Sequence, residues 1–196
     1  MLAHGAGAGM RHPFLETIAL RLALRRIATL RYQFPYMESG RKRTDAPDVA
    51  QAAVRAAVGY AGKALPGMPL LAGGKSFGGR MTSQAQADSP LPGVRGLVFL
   101  GFPLHPPGKP GVSRADHLSK VQVPMLFLQG SRDDFARFDL ITEVCGGLGP
   151  RATLELVDGA DHSFNVRKSA GRSADQVLDG LCDSIARWAV AVAGGA

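Results

Sequence analysis

The residues with chemical potential are a serine set between glycines, a histidine downstream of a pair of aspartates, and a glycine-rich loop close to the first residue. Gly74-Lys75-Ser76-Phe77-Gly78 matches G-x-S-x-G. An apolar run at 68–72 precedes it and a helical pattern over 76–86 follows, which is the strand–turn–helix context that makes this pattern a nucleophile elbow. The residue types follow from the chemistry. The serine must stand on a sharp turn so that its hydroxyl projects, and glycines two positions away on either side allow the turn and close packing. The helix behind it favours developing negative charge. An ordinary Gly-rich turn with a helix-capping serine is the plainer reading.

A serine hydroxyl is a weak nucleophile and requires a base. Five histidines are available. His4 opens the first loop and is expected to support it, His12 precedes Pro13 at a helix start, and His117 lies in a polar, helix-like segment. His105, in a Pro-rich loop after a strand, competes with His162, which follows an apolar run at 152–157 and precedes the last helical stretch. Serine elbows of this kind run in the order Ser, acid, His, and His162 satisfies that order. The acid is expected in the loop Gly130-Ser131-Arg132-Asp133-Asp134, with Asp133 first choice and Asp134 the alternative; its task is to orient the imidazole and stabilise its charged form. One of the two aspartates is equally readable as a helix cap. An oxyanion hole needs two convergent backbone N–H groups. Phe77 supplies one, and the loop His4-Gly5-Ala6-Gly7, of HG-x-G type, supplies the other through Ala6. That loop lacks the G-x-G-x-x-G and P-loop patterns of nucleotide sites, and no metal-ligand spacing is present.

Positioning these groups falls to alternating elements. Helices are expected over 13–26, 48–65, 76–86, 139–148 and 173–193, with a short one over 114–120. Strands are expected at 2–3, 27–34, 68–72, 94–100, 124–129 and 152–157, and loops at 35–46 and 101–112. Continuous apolar strands alternating with helices predict a mostly parallel sheet between two helical layers, an α/β three-layer sandwich. Ligands then sit beyond the carboxyl ends of the strands. At 196 residues the chain fits one domain, 1–196. Its net charge of +7 comes from scattered basic residues, the densest at Arg21, Arg25, Arg26 and Arg31 and at Arg41, Lys42 and Arg43. No aromatic platform accompanies them, so a solvated basic face is expected rather than nucleic-acid binding. Cys145 and Cys182, the two cysteines, lack CxxC spacing and read as buried free thiols suited to a reducing compartment. No signal peptide and no membrane-length apolar run is legible, so a cytoplasmic location is expected.

The stretches AHGAGAGM at 3–10, RYQFPYMESGRKR at 31–43, GGKSFGGRM at 73–81, GFPLHPPGKP at 101–110, LFLQGSRDDF at 126–135 and GADHSF at 159–164 resemble the α/β-hydrolase superfamily. More narrowly they resemble dienelactone-hydrolase-like bacterial relatives of testis-expressed protein 30 and of subunit 3 of the NSL chromatin complex. The resemblance implies an α/β-hydrolase fold, a triad of Ser76, Asp133 and His162, and no cofactor. It departs in two places: relatives carry strands before the His4 loop, so the sheet is expected to lack its first edge strands, and Asp134 stands where relatives are expected to have proline. No insertion is long enough for a cap domain. An open, shallow pocket lined by Met10, Phe77, Phe102, Leu104 and Phe164 is therefore expected, taking a small-molecule acyl substrate with no nucleic acid or membrane partner; a homodimer stays open. Because the family includes members that act in complexes, a non-catalytic interaction module is the alternative function, and a nucleotide-binding domain a more distant one.

Overall fold

Proline opens the helices that matter most. Pro13 starts α1 (Pro13–Leu24), where the His12 ring accepts the Phe14 N–H at 3.2 Å. Pro47 starts α3 (Pro47–Ala64), whose Ala50, Val54, Ala57, Val58 and Ala61 form one buried stripe at helical spacing. The structure, a computed structural model, describes residues 1–167, 169 and 171–194. Its strands are β1 (Leu2–Ala3), β2 (Arg31–Tyr32), β3 (Leu70–Lys75), β4 (Val94–Leu100), β5 (Met125–Gly130) and β6 (Ala152–Val157). The remaining α-helices are α2 (Pro35–Glu38), α4 (Phe77–Asp88), α5 (Phe138–Leu148) and α6 (Ala174–Gly194).

The six strands form one sheet in the order β2-β1-β3-β4-β5-β6, with every pairing parallel. Side chains alternate between two cores, as the strand period requires. Leu97 and Phe99 of β4, with Met125 and Phe127 of β5, face the core under α3, α4 and α5. Val98, Leu100, Leu126 and Leu128 face the core under α1 and α6. Met125 through Leu128 are fully buried, each contributing about 1.5–3 kcal/mol of apolar burial, which is why β5 is legible as an unbroken apolar run.

Several boundaries differ from expectation. The strand expected over 27–34 shrinks to two half-buried residues at the sheet edge, and the loop at 35–46 contains the turn of α2. The strand expected over 68–72 runs instead from Leu70 to Lys75 with Gly73 and Gly74 inside it, and because a Cβ at Gly74 would stand 2.4 Å from the Ala3 carbonyl oxygen, only glycine lets β1 pack this close. The short segment Ser113–Lys120 is a 3-10 helix. The densest basic patch is not simply solvated. Arg21 pairs with Asp175 and Asp179, both at 2.6 Å, and Arg25 with Asp183 at 2.7 Å, so α1 and α6 are clamped and the patch is largely neutralised. Cys145 and Cys182 are buried free thiols, pushed up to about 12 and about 11 by burial. No helix among the described residues is long and apolar enough to cross a membrane.

Candidate active site

The strand order reverses direction between β1 and β3, since the chain builds outward to β2 on one side and to β4, β5 and β6 on the other. Such a switch point splays the loops that leave its two strands and opens a crevice at their carboxyl ends. Here those loops are the glycine-rich stretch after β1 and the turn after β3. A Cβ placed on Gly5 would lie 3.6 Å from the Lys75 carbonyl oxygen and 3.8 Å from the Ser76 Cβ.

Ser76 sits between β3 and α4 with φ 49° and ψ −115°, a backbone state that only glycine adopts without cost. The strain is imposed by its neighbours. The Ser76 N–H is tied to the Leu100 carbonyl at 3.1 Å, and its carbonyl accepts the Arg80 N–H of the first helical turn. Gly78 allows this turn to sit on β1: a Cβ there would fall 2.5 Å from the His4 carbonyl oxygen.

His162 and Asp133 arrive from the loops after β6 and β5. His162 Nε2 lies 2.9 Å from Ser76 Oγ, and His162 Nδ1 lies 2.7 Å from Asp133 Oδ2. A carboxylate can only accept, so Nδ1 carries the proton and the Nε2 lone pair faces the serine hydroxyl. Asp133 is 4% exposed and saturated: Gln129 Nε2 also donates to Oδ2, at 2.5 Å, and the Phe135 N–H donates to Oδ1 at 2.8 Å. Asp134, the alternative from sequence, is exposed, and Asp133, the first choice, is the one that meets His162. The Phe135 ring covers the imidazole at 4.3 Å between centroids, and the His162 side chain keeps 18% exposure.

The loop after β1 is held from below by the segment that follows β2. The Phe34 N–H donates to His4 Nε2 at 3.0 Å, so His4 Nδ1 holds the proton and donates to the Gly5 carbonyl at 2.9 Å. Burial keeps this ring neutral by pulling its pKa below the usual histidine value. The Tyr36 hydroxyl accepts the Gly7 N–H at 3.2 Å, and Gln33 Oε1 accepts the Met10 N–H at 2.8 Å. Among the described residues, the Ala6 and Phe77 N–H groups donate to no backbone acceptor outside the helices and strands, and Phe77 heads α4, where N–H groups have no partner within the helix.

The structure thus brings Ser76, Asp133 and His162 together and sets the Ala6 loop beside them. The expected pocket wall is dispersed. Phe102 and Leu104 are 0% and 1% exposed and belong to the core, not to an open surface. The loop is drawn inward because the Phe102 N–H donates to Gln129 Oε1 at 2.8 Å, its ring packs on Phe99 and Phe127, and the His105 N–H is held by the Phe135 carbonyl. The Phe77 side chain turns into the core against Phe34 and Tyr36. Met10 is half-buried and borders a hollow of about 360 Å³ with Arg11, Glu16 and Arg31, and Phe164 stacks on Phe14. His105, the competing base, accepts the Arg137 N–H at 3.1 Å and holds a loop. Gln129, Phe135, Tyr36 and Lys75 were not singled out from sequence. Gln129 carried a signal, a polar residue ending an otherwise apolar strand.

Known proteins share this architecture. The family described as an alpha/beta hydrolase domain matches residues 1–190. An alpha-beta serine hydrolase homologue from Coxiella burnetii superposes with a TM-score of 0.72 at 18% identity, over 94% of this chain and 85% of that one. A serine hydrolase without a lid from Xanthomonas campestris gives 0.71 at 22% identity, over 95% and 81%. Est1E from Butyrivibrio proteoclasticus, solved with ferulic acid bound, gives 0.73 at 14% identity, over 95% and 87%.

Proposed function

Because the chain belongs to the alpha/beta hydrolase domain family, we propose that it is a serine hydrolase that cleaves a small acyl ester, or a related thioester or amide, through an acyl-enzyme. The observation that carries this is the continuous line from Ser76 Oγ through His162 to Asp133, at 2.9 and 2.7 Å. In this reading Ser76 Oγ attacks the carbonyl carbon while His162 Nε2 takes its proton. The oxygen that becomes negative is held by the Phe77 and Ala6 N–H groups. His162 then returns the proton to the leaving alcohol, and the acyl group stays on Ser76. Water enters, gives a proton to His162 and releases the acid, restoring the serine. Asp133 remains ionised throughout and stabilises the imidazolium. No cofactor takes part in these steps.

A small substrate is supported by the segments around the site. Between β4 and β5 the chain forms only a loop and the 3-10 turn Ser113–Lys120, with no helical cap over Ser76. The motifs at 73–81 and 126–135 support placing the chain among relatives of testis-expressed protein 30 and NSL subunit 3. Turnover of p-nitrophenyl acetate against a long-chain p-nitrophenyl ester tests the reading. Wild type is expected to favour acetate and Ser76→Ala to hydrolyse neither; a clear preference for the long chain contradicts the small-substrate assignment. Activity that survives Ser76→Ala contradicts the mechanism.

A further inference from the structure

Lys75 fills the variable position directly before Ser76, a place where the motif itself demands nothing. Its stem runs past the first loop, 3.5 Å from where a Gly5 Cβ would stand. Its ammonium reaches across to the loop after β6 and donates to the His162 carbonyl at 2.6 Å. Among the described residues, no backbone N–H outside the helices and strands donates to that carbonyl. The same nitrogen lies 5.6 Å over the Phe164 ring and 3.1 Å from the place a Gly101 Cβ would occupy, so the absence of a side chain at Gly101 leaves room for it.

The His162 ring is held by Asp133, and its loop is closed by the Asp161 N–H donating to the Asn165 carbonyl and the Phe164 N–H donating to the Asp161 carbonyl, both at 3.0 Å. Arg132 N–H holds the Ala160 carbonyl, and Asp161 accepts from the Ser163 and Asn165 N–H groups at 2.8 and 2.9 Å. Phe164, two residues beyond the base, has φ 64°, a left-handed state a phenylalanine adopts only under constraint. Lys75 adds a tie from the residue next to Ser76 to the backbone of His162 itself.

We propose that Lys75 is a positioning residue: its charged ammonium clasps the His162 carbonyl and fixes the imidazole at bonding distance from Ser76. This rests on the serine-hydrolase reading above. A neutral residue of the same length would fill the space and leave the clasp unmade. The charges acting on the ammonium are Asp133, from the loop after β5, and Asp161, from the His162 loop; the titratable His162 ring borders the same space by Gly101, and the other neighbours are Gly5 and Phe164. Burial pulls the Lys75 amine down to about 8, against the pull of both carboxylates. The clasp thus weakens as pH rises through that value, because a hydrogen bond from a neutral amine is about half as strong as one from an ammonium.

The test is the second-order rate of fluorophosphonate labelling of Ser76 between about pH 6 and about pH 10, for wild type, Lys75→Met and Lys75→Arg, each corrected for the folded fraction by circular dichroism. Wild type is expected to lose about fivefold to tenfold in rate above pH ~8. Lys75→Arg keeps its charge, so it should label near the wild-type rate at neutral pH and show no alkaline fall. Lys75→Met should label about tenfold to a hundredfold more slowly, the usual effect of a small misplacement of a catalytic group. A folded Lys75→Met that labels at the wild-type rate overturns the proposal even if its Tm has dropped, since that is a structural role alone. An alkaline fall that persists unchanged in Lys75→Arg also overturns it. Wild type that fails to label at any pH overturns the hydrolase reading, and the clasp with it.

Discussion

Replacing Asp133 by asparagine removes one charge and almost no volume, yet the surrounding hydrogen bonds make it severe. Two donors converge on Oδ2, His162 Nδ1 at 2.7 Å and Gln129 Nε2 at 2.5 Å, while the Phe135 N–H points at Oδ1. Asparagine has one acceptor oxygen. If that oxygen takes the Oδ2 place, its amide hydrogens meet the Phe135 N–H. If the amide nitrogen takes it, the imidazole must shift its proton to Nε2, and a protonated Nε2 cannot accept the Ser76 hydroxyl proton. Either arrangement leaves a donor facing a donor in a buried site, costing about 1–3 kcal/mol of stability. The second also disables the base. Loss of this tautomer in a Ser-His-Asp arrangement lowers turnover about 10⁴-fold, equivalent to about 5.4 kcal/mol of transition-state stabilisation. Initial rates of p-nitrophenyl acetate hydrolysis, set beside urea denaturation, separate the two effects. A folded Asp133→Asn within about tenfold of wild type, or an Asp134→Asn equally impaired, refutes the assignment of the acid and the tautomer argument with it.

Other consequences follow from the elbow and its supports. Gly78→Ala forces a Cβ to 2.5 Å from the His4 carbonyl oxygen and should cost about 1–3 kcal/mol in urea denaturation, with slowed Ser76 labelling because β1 must move. Ser76→Gly should be more stable than Ser76→Ala by about 1 kcal/mol, as only glycine relaxes at φ 49°; equal Tm values would show that the turn stores no strain. His117 bonds Ser83 Oγ at 2.7 Å, and burial first, then the nearby Arg80, hold its pKa down at about 4 against the pull of Asp116. An unfolded chain takes that proton first, so stability should fall as pH drops from about 6.5 toward 4, and His117→Gln should flatten this part of the Tm–pH curve.

What could be read from the residues, and what could not, divides along physical lines. The apolar runs that became β4 and β5 are buried on both faces, so hydrophobic pattern alone marks them, whereas β6, at the sheet edge, is only half-buried and is marked by its alternation. The elbow was legible because its geometry restricts residue type at Gly74, Ser76 and Gly78. Asp133 is the first choice from sequence with Asp134 as the alternative; what sets them apart in the fold is which of them Gln129 and the Phe135 N–H reach. Gly73 and Gly74 read as a turn because glycine marks both turns and close strand packing, and here β1 and β4 press on them. Phe102 and Leu104 read as liners of an open pocket, but three hydrogen bonds, one at Phe102 and two at His105, draw their loop into the core. Lys75 gave no signal at all, because its role is set by a contact with a residue far along the chain.

Intact-mass analysis after fluorophosphonate treatment asks whether Ser76 is an activated nucleophile. One adduct is expected on wild type, located on Ser76 by peptide mapping, and none on Ser76→Ala. Well-folded wild type that carries no adduct, or an adduct that persists on Ser76→Ala, would contradict an activated Ser76 and turn attention to the chain as a non-catalytic interaction module.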